Sequence, residues 1–249
     1  MANGVKAEWQ VAPVVMEDHV LLYYHGGGFA AGSPLTHRLL TVTIGRATRT
    51  RVLSVDYRLY PEVTLPEEIA DCFSAYKWLL SRGTKPGNII IAGDSAGGFL
   101  VLATLLKNRD EKVPMPAAGI CISPVVDLTW SGDSFFKNMP SDPGLGTSGL
   151  AMIMAIAASS MGLDPKDPAL ALLDAKLEGF PPLLFQVAET EMLFDDSRRF
   201  VEKAKRAGVY AVLQSWDGMT HGFQTNLDLP ETKEAIDKIK EFVQQRWNS

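Results

Sequence analysis

The chain has 249 residues, of which 46% are hydrophobic and 21% are charged, and its formal net charge is −5. This length and composition are typical of one globular domain with a large apolar core. The Lys and Arg residues are scattered along the sequence, which argues against a nucleic-acid-binding surface. No apolar stretch is long enough to cross a bilayer, and no charged-then-apolar leader opens the chain. We therefore expect a cytoplasmic protein with no membrane or nucleic-acid partner.

The residue types that bind metals or form disulfides give little signal. The two cysteines, Cys72 and Cys121, lie far apart in apolar surroundings. Such thiols are more often reduced packing residues than a disulfide, which fits a cytoplasmic chain. No cluster of His, Cys and Asp has the spacing of metal ligands. We expect neither a metal nor a cofactor.

Apolar segments alternate with helical patterns along most of the chain. Six runs, apolar and mostly rich in β-branched residues, are typical of strands buried on both faces of a parallel sheet: residues 20–24, 51–55, 88–92, 117–122, 183–188 and 211–216. Helical patterns are found at residues 35–48, 65–81, 95–108, 192–207 and 231–247. This alternation predicts a doubly wound α/β sheet with helices on both faces.

Residues 123–180 interrupt the alternation. They show no strand pattern, contain many Pro, Gly, Asp and Ser residues, and include one short apolar helix near residues 149–161. A long excursion between two strands of a sheet is often functional. We therefore expect one domain over residues 1–249, with residues 123–180 as a partial lid above the carboxyl ends of the strands.

A nucleophile motif follows the third predicted strand. The sequence Gly-Asp-Ser-Ala-Gly begins at Gly93 and matches the Gly-x-Ser-x-Gly pattern of a nucleophile elbow, here between a strand and a helix. In this turn a strained backbone raises the serine hydroxyl to the top of the sheet, and the two glycines remove Cβ atoms that would clash. Ser95 is therefore the candidate nucleophile, and Asp94 is expected to anchor the turn rather than to transfer protons.

A serine nucleophile needs a base, and the base needs an acid to orient it. Of the four histidines, His221 lies in the loop after the last predicted strand, where the base stands in the serine–acid–histidine order of α/β-hydrolase folds. Four carboxylates follow the fifth predicted strand within eight residues. Glu191 is the preferred acid and Asp195 the alternative. Glu189 is interpreted as a solvated edge residue, and Asp196 as a charge favoured at a helix N-terminus.

Three consecutive glycines follow His25 at the end of the first predicted strand. Glycines expose backbone N–H groups and let a substrate come close, as a loop that holds an oxyanion requires. His25 itself is expected to fix this loop by hydrogen bonding rather than to act as a second base. The N–H group of Ala96, which follows the nucleophile and opens its helix, is expected to be a further oxyanion donor.

Four motifs in this order resemble the hormone-sensitive-lipase family of bacterial esterases. They are His-Gly-Gly-Gly-Phe from residue 25, Asp-Tyr-Arg-Leu-Tyr-Pro-Glu from residue 56, Gly-Asp-Ser-Ala-Gly-Gly from residue 93, and Met-Thr-His-Gly-Phe from residue 219. The resemblance covers nearly the whole chain. It implies an α/β-hydrolase fold and hydrolysis of carboxylic esters, usually with short acyl chains. It also implies oxyanion donors at Gly27, Gly28 and Ala96.

The chain departs from the family pattern in two places. The family usually has Asp at the acid position, where this chain has Glu191; a carboxylate one methylene longer still orients the imidazole if its loop shifts. Family members also carry several dozen residues before the glycine loop as helices of a cap, whereas 24 residues precede His25 here. Either the sequence is truncated or it is a variant whose N-terminal cap is largely absent, and residues 123–180 are then the only cover over an open pocket. Phe29, Met152 and Ile156 are candidate pocket residues, with core or lid packing as the alternative.

We therefore predict a carboxylesterase that forms an acyl-enzyme on Ser95 and acts on a small-molecule ester. An amidase or deacetylase shares all these residues and differs only in the shape of its pocket. A ligand-binding protein on the same fold is disfavoured by His221, because the plant receptors that resemble this family lack that histidine. A chain without its cap could instead have little activity. The predicted edge strand at residues 211–216, together with the resemblance, favours a homodimer.

Overall fold

The computed structural model describes residues 1–146, 164 and 167–247. Their strands form one seven-stranded sheet in the order β1-β3-β2-β4-β5-β6-β7. The strands are β1 (Lys6–Gln10), β2 (Met16–Tyr24), β3 (Thr50–Asp56), β4 (Ile89–Asp94), β5 (Ala118–Ile122), β6 (Leu183–Ala188) and β7 (Ala211–Trp216). Every neighbouring pair is parallel except β1 with β3. The predicted α/β-hydrolase architecture with a mostly parallel sheet is confirmed.

Helices cover both faces of the sheet. Those of the described residues are α1 (Pro34–Thr48), α2 (Leu65–Ser81), α3 (Ala96–Asp110), α4 (Asp133–Asn138), α5 (Phe194–Arg206) and α6 (Pro230–Trp247). Alternate residues of β2 point to opposite faces, so Leu21 packs with α1 and α6, whereas Leu22 belongs to the core that contains α2, α3 and α5. Because both faces are covered, the central strands are apolar throughout, which is the pattern that the sequence shows.

Two elements are missing from the sequence-based prediction. β1 pairs antiparallel at the sheet edge, and its sequence Lys-Ala-Glu-Trp-Gln forms no apolar run, since only Gln10 in it is buried. Glu8 of this strand binds Arg38 through two hydrogen bonds, and Trp9 lies under the guanidinium of Arg51. The other element, α4, has six residues, too few for a helical period to show.

The excursion between β5 and β6 contains α4 in its first part. Within its described residues, 123–146, 164 and 167–180, no strand is present. The predicted lid helix, with Met152 and Ile156, lies outside the described residues. A lid function of this segment therefore stays a prediction.

Candidate active site

Ser95 lies on the sharp turn between β4 and α3. Its backbone has φ 52° and ψ −118°, a strained conformation for a residue with a side chain. Flanking glycines make the turn sterically feasible. A Cβ at Gly93 would lie 2.5 Å from the carbonyl oxygen of Gly97, and one at Gly97 would overlap the carbonyl oxygen of Tyr24. The turn therefore requires small residues on both sides, as the elbow motif predicts.

Three polar side chains from distant parts of the chain meet at this turn. The Nε2 atom of His221, in the loop after β7, lies 3.1 Å from the Oγ atom of Ser95. The Nδ1 atom of the same ring lies 3.4 Å from Oε2 of Glu191, in the loop after β6. Burial disfavours the imidazolium form of His221, but the adjacent carboxylate of Glu191 outweighs this and holds the pKa of His221 above its usual value.

Asp195, the alternative acid, has other partners. Its carboxylate accepts a hydrogen bond from the backbone N–H of Ser134 at 2.9 Å and one from Nε of Arg198 at 2.9 Å. The buried Ser134 hydroxyl in turn accepts from the Asp195 N–H at 2.9 Å. Asp195 thus connects α5 to the start of α4, and no contact with His221 is found among the described residues.

The remaining two carboxylates of the group also have separate partners. Asp196 accepts the backbone N–H groups of Val126 and Asp127 at 2.7 and 2.9 Å, and burial raises its pKa to about 7. Glu189 is exposed and accepts from the hydroxyl of Ser215 at 2.6 Å. Asp196 is therefore more than a charge at a helix N-terminus, because it also holds the chain that leaves β5.

The glycine loop after β2 is attached to the nucleophile turn by Asp94. Oδ1 of this buried carboxylate accepts the N–H of Gly26 at 3.0 Å and the hydroxyl of Tyr23 at 2.7 Å. Its Oδ2 atom lies 3.2 Å from Nε2 of His37. A Cβ at Gly26 would overlap this carboxylate, so only glycine fits there. Asp94 anchors the loop, as expected, and no proton-transfer role is needed to explain it.

Two backbone N–H groups of the glycine loop, those of Gly27 and Gly28, have no hydrogen-bond acceptor among the described residues. Gly27 and Gly28 have φ values of 131° and 62°, which glycine adopts readily. The carbonyl of Gly27 accepts from residues 30 and 31. Ala96 opens α3, where an N–H group has no intrahelical acceptor. The three predicted oxyanion donors are therefore not engaged by the described parts of the chain.

His25 and Phe29, at the two ends of the loop, are packed side chains. His25 is fully buried, its Nδ1 lies 2.9 Å from the Gly26 carbonyl, and its ring stacks on Tyr57, whose hydroxyl donates to the His25 carbonyl at 2.6 Å. Burial lowers the pKa of His25, which favours a neutral, structural imidazole. Phe29 is buried edge-on against Phe99, which favours its core-packing interpretation; its contact with substrate stays a prediction.

The sequence does not predict the residues that hold the loop after β6, which contains the candidate acid Glu191. The Asn138 side chain donates to the carbonyl oxygens of Glu189 and Glu191 at 3.1 and 2.9 Å, and Asp142 accepts the N–H of Met192 at 2.9 Å. Ser123 donates its hydroxyl to the Glu191 carboxylate at 2.9 Å. Only the position of Ser123, directly after a buried strand, could have indicated such a role.

Within residues 1–146, 164 and 167–247, no group of three or more His, Cys, Asp and Glu side chains is arranged to hold a metal ion. Nor is any helix in these ranges both long and apolar enough to cross a bilayer. Cys72 and Cys121 are buried free thiols.

Comparison with known proteins gives one consistent family. A protein-family sequence model that describes the α/β-hydrolase fold matches residues 21–225 of this chain. An acetyl-hydrolase of Streptomyces hygroscopicus is 38% identical over 95% of this chain and 79% of its own length. An esterase of Acinetobacter venetianus is 38% identical over 96% of this chain and 79% of its own length.

Solved structures agree with these relatives. An esterase of the bacterial hormone-sensitive-lipase family superposes with a TM-score of 0.93 and 44% identity, over 99% of this chain and 82% of its own. The esterase EstE5, soaked with p-nitrophenyl butyrate, superposes with a TM-score of 0.94 and 42% identity, over 100% of this chain and 84% of its own. The chain belongs to the α/β-hydrolase fold family and, within it, to the bacterial hormone-sensitive-lipase family, which confirms the resemblance drawn from the four motifs.

Proposed function

We propose that this protein is a carboxylesterase that hydrolyses small, short-chain esters through an acyl-enzyme on Ser95. The observation that carries the proposal is the chain of contacts from Ser95 Oγ to His221 Nε2 at 3.1 Å and from His221 Nδ1 to Glu191 Oε2 at 3.4 Å. These distances connect a hydroxyl, a base and a buried carboxylate in the arrangement that serine hydrolases use.

The reaction follows from these contacts. Ser95 Oγ attacks the ester carbonyl while His221 Nε2 takes the hydroxyl proton. Glu191 holds the tautomer with the proton on Nδ1 and stabilises the imidazolium that forms. The imidazolium then protonates the departing alkoxide, leaving the acyl group on Ser95. A water molecule, deprotonated by His221, then attacks the acyl carbon. The bond from that carbon to Ser95 Oγ breaks, His221 returns the proton to Oγ, and the carboxylic acid leaves.

Negative charge on the carbonyl oxygen needs donors fixed before the reaction begins. We assign this role to the N–H groups of Gly27, Gly28 and Ala96. Two observations support the assignment: these groups donate to no described residue, and Asp94 fastens the glycine loop to the nucleophile turn. The N-terminus of α3 adds a favourable helix dipole at the same place.

Relatives support the substrate class. The relatives from Streptomyces hygroscopicus and Acinetobacter venetianus are named an acetyl-hydrolase and an esterase, and another, from Mycobacterium tuberculosis, is named a carboxylesterase/phospholipase. The EstE5 crystals were soaked with the p-nitrophenyl ester of a four-carbon acid. We therefore expect turnover of p-nitrophenyl acetate and butyrate to exceed that of the octanoate. A rate that rises steadily toward the octanoate would contradict the short-chain proposal, and a matched p-nitroanilide would reveal an amidase.

Ser95→Ala tests the nucleophile. Removing the hydroxyl is expected to lower kcat for p-nitrophenyl butyrate by about 10⁴-fold or more, because no acyl-enzyme can form. Ser197→Ala is a matched control, since this buried hydroxyl has no partner among the described residues. The control should retain the wild-type kcat. Turnover by Ser95→Ala near the wild-type rate would reject the proposed function.

The acid is tested by comparing Glu191→Ala with Asp195→Ala. We expect Glu191→Ala to lower kcat by about 10²- to 10⁴-fold, as loss of the group that orients the histidine does in such enzymes. Asp195→Ala should leave kcat within about threefold while lowering the stability of the fold, since its carboxylate contacts Ser134 and Arg198 rather than His221. The reverse pattern would move the acid to Asp195.

The homodimer is a separate proposal. β7 is an edge strand of the sheet, so one side of its backbone has no strand partner among the described residues. Pairing with a second copy along this edge would extend the sheet across a two-fold axis. Size-exclusion chromatography with light scattering should give twice the chain mass of 27.2 kDa. A monomer over the micromolar range would reject this proposal without affecting the esterase assignment.

A further inference from the structure

The chain that leaves β5 contacts all three residues of the candidate triad or their immediate neighbours. The carbonyl of Ile122 accepts the N–H of Ser95 at 2.8 Å, and Val125 N–H donates to the Ser95 carbonyl at 3.1 Å. Between them, the hydroxyl of Ser123 donates to Oε2 of Glu191 at 2.9 Å. The N–H of Gly222, the residue after His221, lies 3.4 Å from the same hydroxyl oxygen. One short segment thus connects the nucleophile, acid and base loops.

The Glu191 carboxylate has few partners for a buried charge. The residue is 0% exposed, and its Oε1 atom accepts no hydrogen bond from the described part of the chain. Oε2 receives the Ser123 hydroxyl and faces Nδ1 of His221. A glutamate has one more rotatable bond than an aspartate, so a single contact with the imidazole leaves its carboxylate less constrained. A second donor on Oε2 fixes that rotation.

Ser123 adopts an unusual backbone conformation to reach this carboxylate. Its φ is +45°, in the left-handed region that a residue with a Cβ rarely adopts, and its side chain is fully buried. Its N–H donates to the carbonyl of Gln186 on β6 at 2.7 Å, which holds the turn in place. Such strain persists only where the surrounding structure imposes it, and it concentrates at functional sites.

We propose that Ser123 is a positioning residue for ester hydrolysis: its hydroxyl holds Oε2 of Glu191 against Nδ1 of His221. The inference rests on the proposed function, because Glu191 must be the acid for its orientation to matter. Ser123 touches neither the substrate carbonyl nor the attacking hydroxyl in this assignment. It acts on the reaction only through Glu191.

Ser123→Ala and Ser123→Gly together test the role of the hydroxyl. Both remove it, but glycine adopts the left-handed conformation without strain, whereas alanine does not. We expect both variants to lose about 10- to 100-fold in kcat on p-nitrophenyl butyrate, the range for one hydrogen bond to a charged group, with KM within about twofold. Ser197→Ala, the buried hydroxyl without a described partner, should match the wild type.

The pH profile separates positioning from a purely structural effect. Glu191 holds the pKa of His221 above its usual value, so freeing its carboxylate from Nδ1 should lower that pKa and move the acid limb of kcat/KM to lower pH. The other carboxylates that act on His221, Asp142 and Asp94, are unchanged in both variants. A variant that is merely less stable should keep the wild-type limb.

The outcomes are distinct. A wild-type kcat in both Ser123 variants would overturn the inference, as would recovery of activity in Ser123→Gly alone, because backbone strain and not the hydroxyl would then be responsible. Lower kcat with an unmoved acid limb would also overturn it. If Ser95→Ala retains activity, the proposed function itself fails. If Ser95→Ala is inactive while both Ser123 variants behave as wild type, only the role of Ser123 fails.

Discussion

Glu68 of α2 carries a carboxyl group that the proposed reaction does not use. The residue is 0% exposed, and neither oxygen makes a hydrogen bond to a described residue. Burial outweighs the opposing influence of the nearby backbone N–H of Tyr60 and, with the charge of Asp71, raises the pKa of Glu68 from its ordinary value of 4.5 to about 9. The folded protein therefore keeps this carboxyl group neutral at physiological pH.

The consequence for stability follows from proton linkage. In the unfolded chain the Glu68 carboxyl ionises near pH 4.5, whereas in the folded chain it stays protonated until about pH 9. Between these values the folded state binds one proton more, so the free energy of unfolding falls by about 1.4 kcal/mol per pH unit. At pH 7 the buried carboxyl therefore lowers stability by about 3 kcal/mol relative to pH 4.5.

Glu68→Gln replaces the protonated carboxyl by a neutral group of the same shape. We expect urea unfolding to give similar free energies for wild type and variant near pH 5, and a variant more stable by about 3 kcal/mol at pH 7. Glu62→Gln, at an exposed carboxylate in the segment before α2, is the control and should show no such divergence. A difference between wild type and Glu68→Gln that stays constant from pH 5 to pH 8 would refute the reasoning.

Two further predictions concern the nucleophile turn. Burial disfavours the imidazolium form of His37, but the hydrogen bond and charge of Asp94 outweigh it and raise the pKa of His37. The pair therefore stabilises the fold at pH values below the pKa of this histidine in the unfolded chain. This contribution is lost as the pH rises through the raised pKa of the folded protein. Relative to His37→Gln, the wild type should be more stable by about 1.5 kcal/mol at pH 6 and lose that advantage by pH 9 in thermal or urea unfolding; an advantage independent of pH would contradict the ion pair. Gly97→Ala should lower unfolding free energy by about 3 kcal/mol and abolish turnover, because its Cβ would overlap a backbone carbonyl of β2. Gly87→Ala, with no atom within 4 Å of the added Cβ, should change stability by about 0.5 kcal/mol or less, and equal losses in the two glycine variants would reject the steric argument.

The sequence predicts those elements whose signals are local. α2, β6 and β7 begin and end at the predicted residues, because the apolar pattern of each lies within the segment itself. For α2, a capping pattern at Thr64 also marks where the helix begins. β1 is not predicted, because its structure depends on pairing with β3, which lies more than 40 residues further along the chain. An edge strand exposed on one side has no apolar run to reveal it.

The same distinction applies to the site. The positions of Ser95 and His221 follow from short sequence motifs and from the order of the predicted strands, both of which are properties of the sequence alone. Among the four carboxylates after β6, sequence can rank Glu191 above Asp195 but gives no distance to the imidazole. The supporting contact from Ser123 joins residues 68 positions apart and cannot be read from spacing.

The described start of the excursion does more than connect β5 to β6. Asn138 and Asp142 hold the backbone on both sides of the Glu191 side chain, while Ser123 holds its carboxylate. Asp195, the competing acid, is bound to this same segment through Ser134. A glutamate at the acid position must be held along a longer side chain than an aspartate, and each of these contacts removes freedom that the extra methylene adds. The described start of the excursion therefore supports the loop that contains Glu191, the proposed acid.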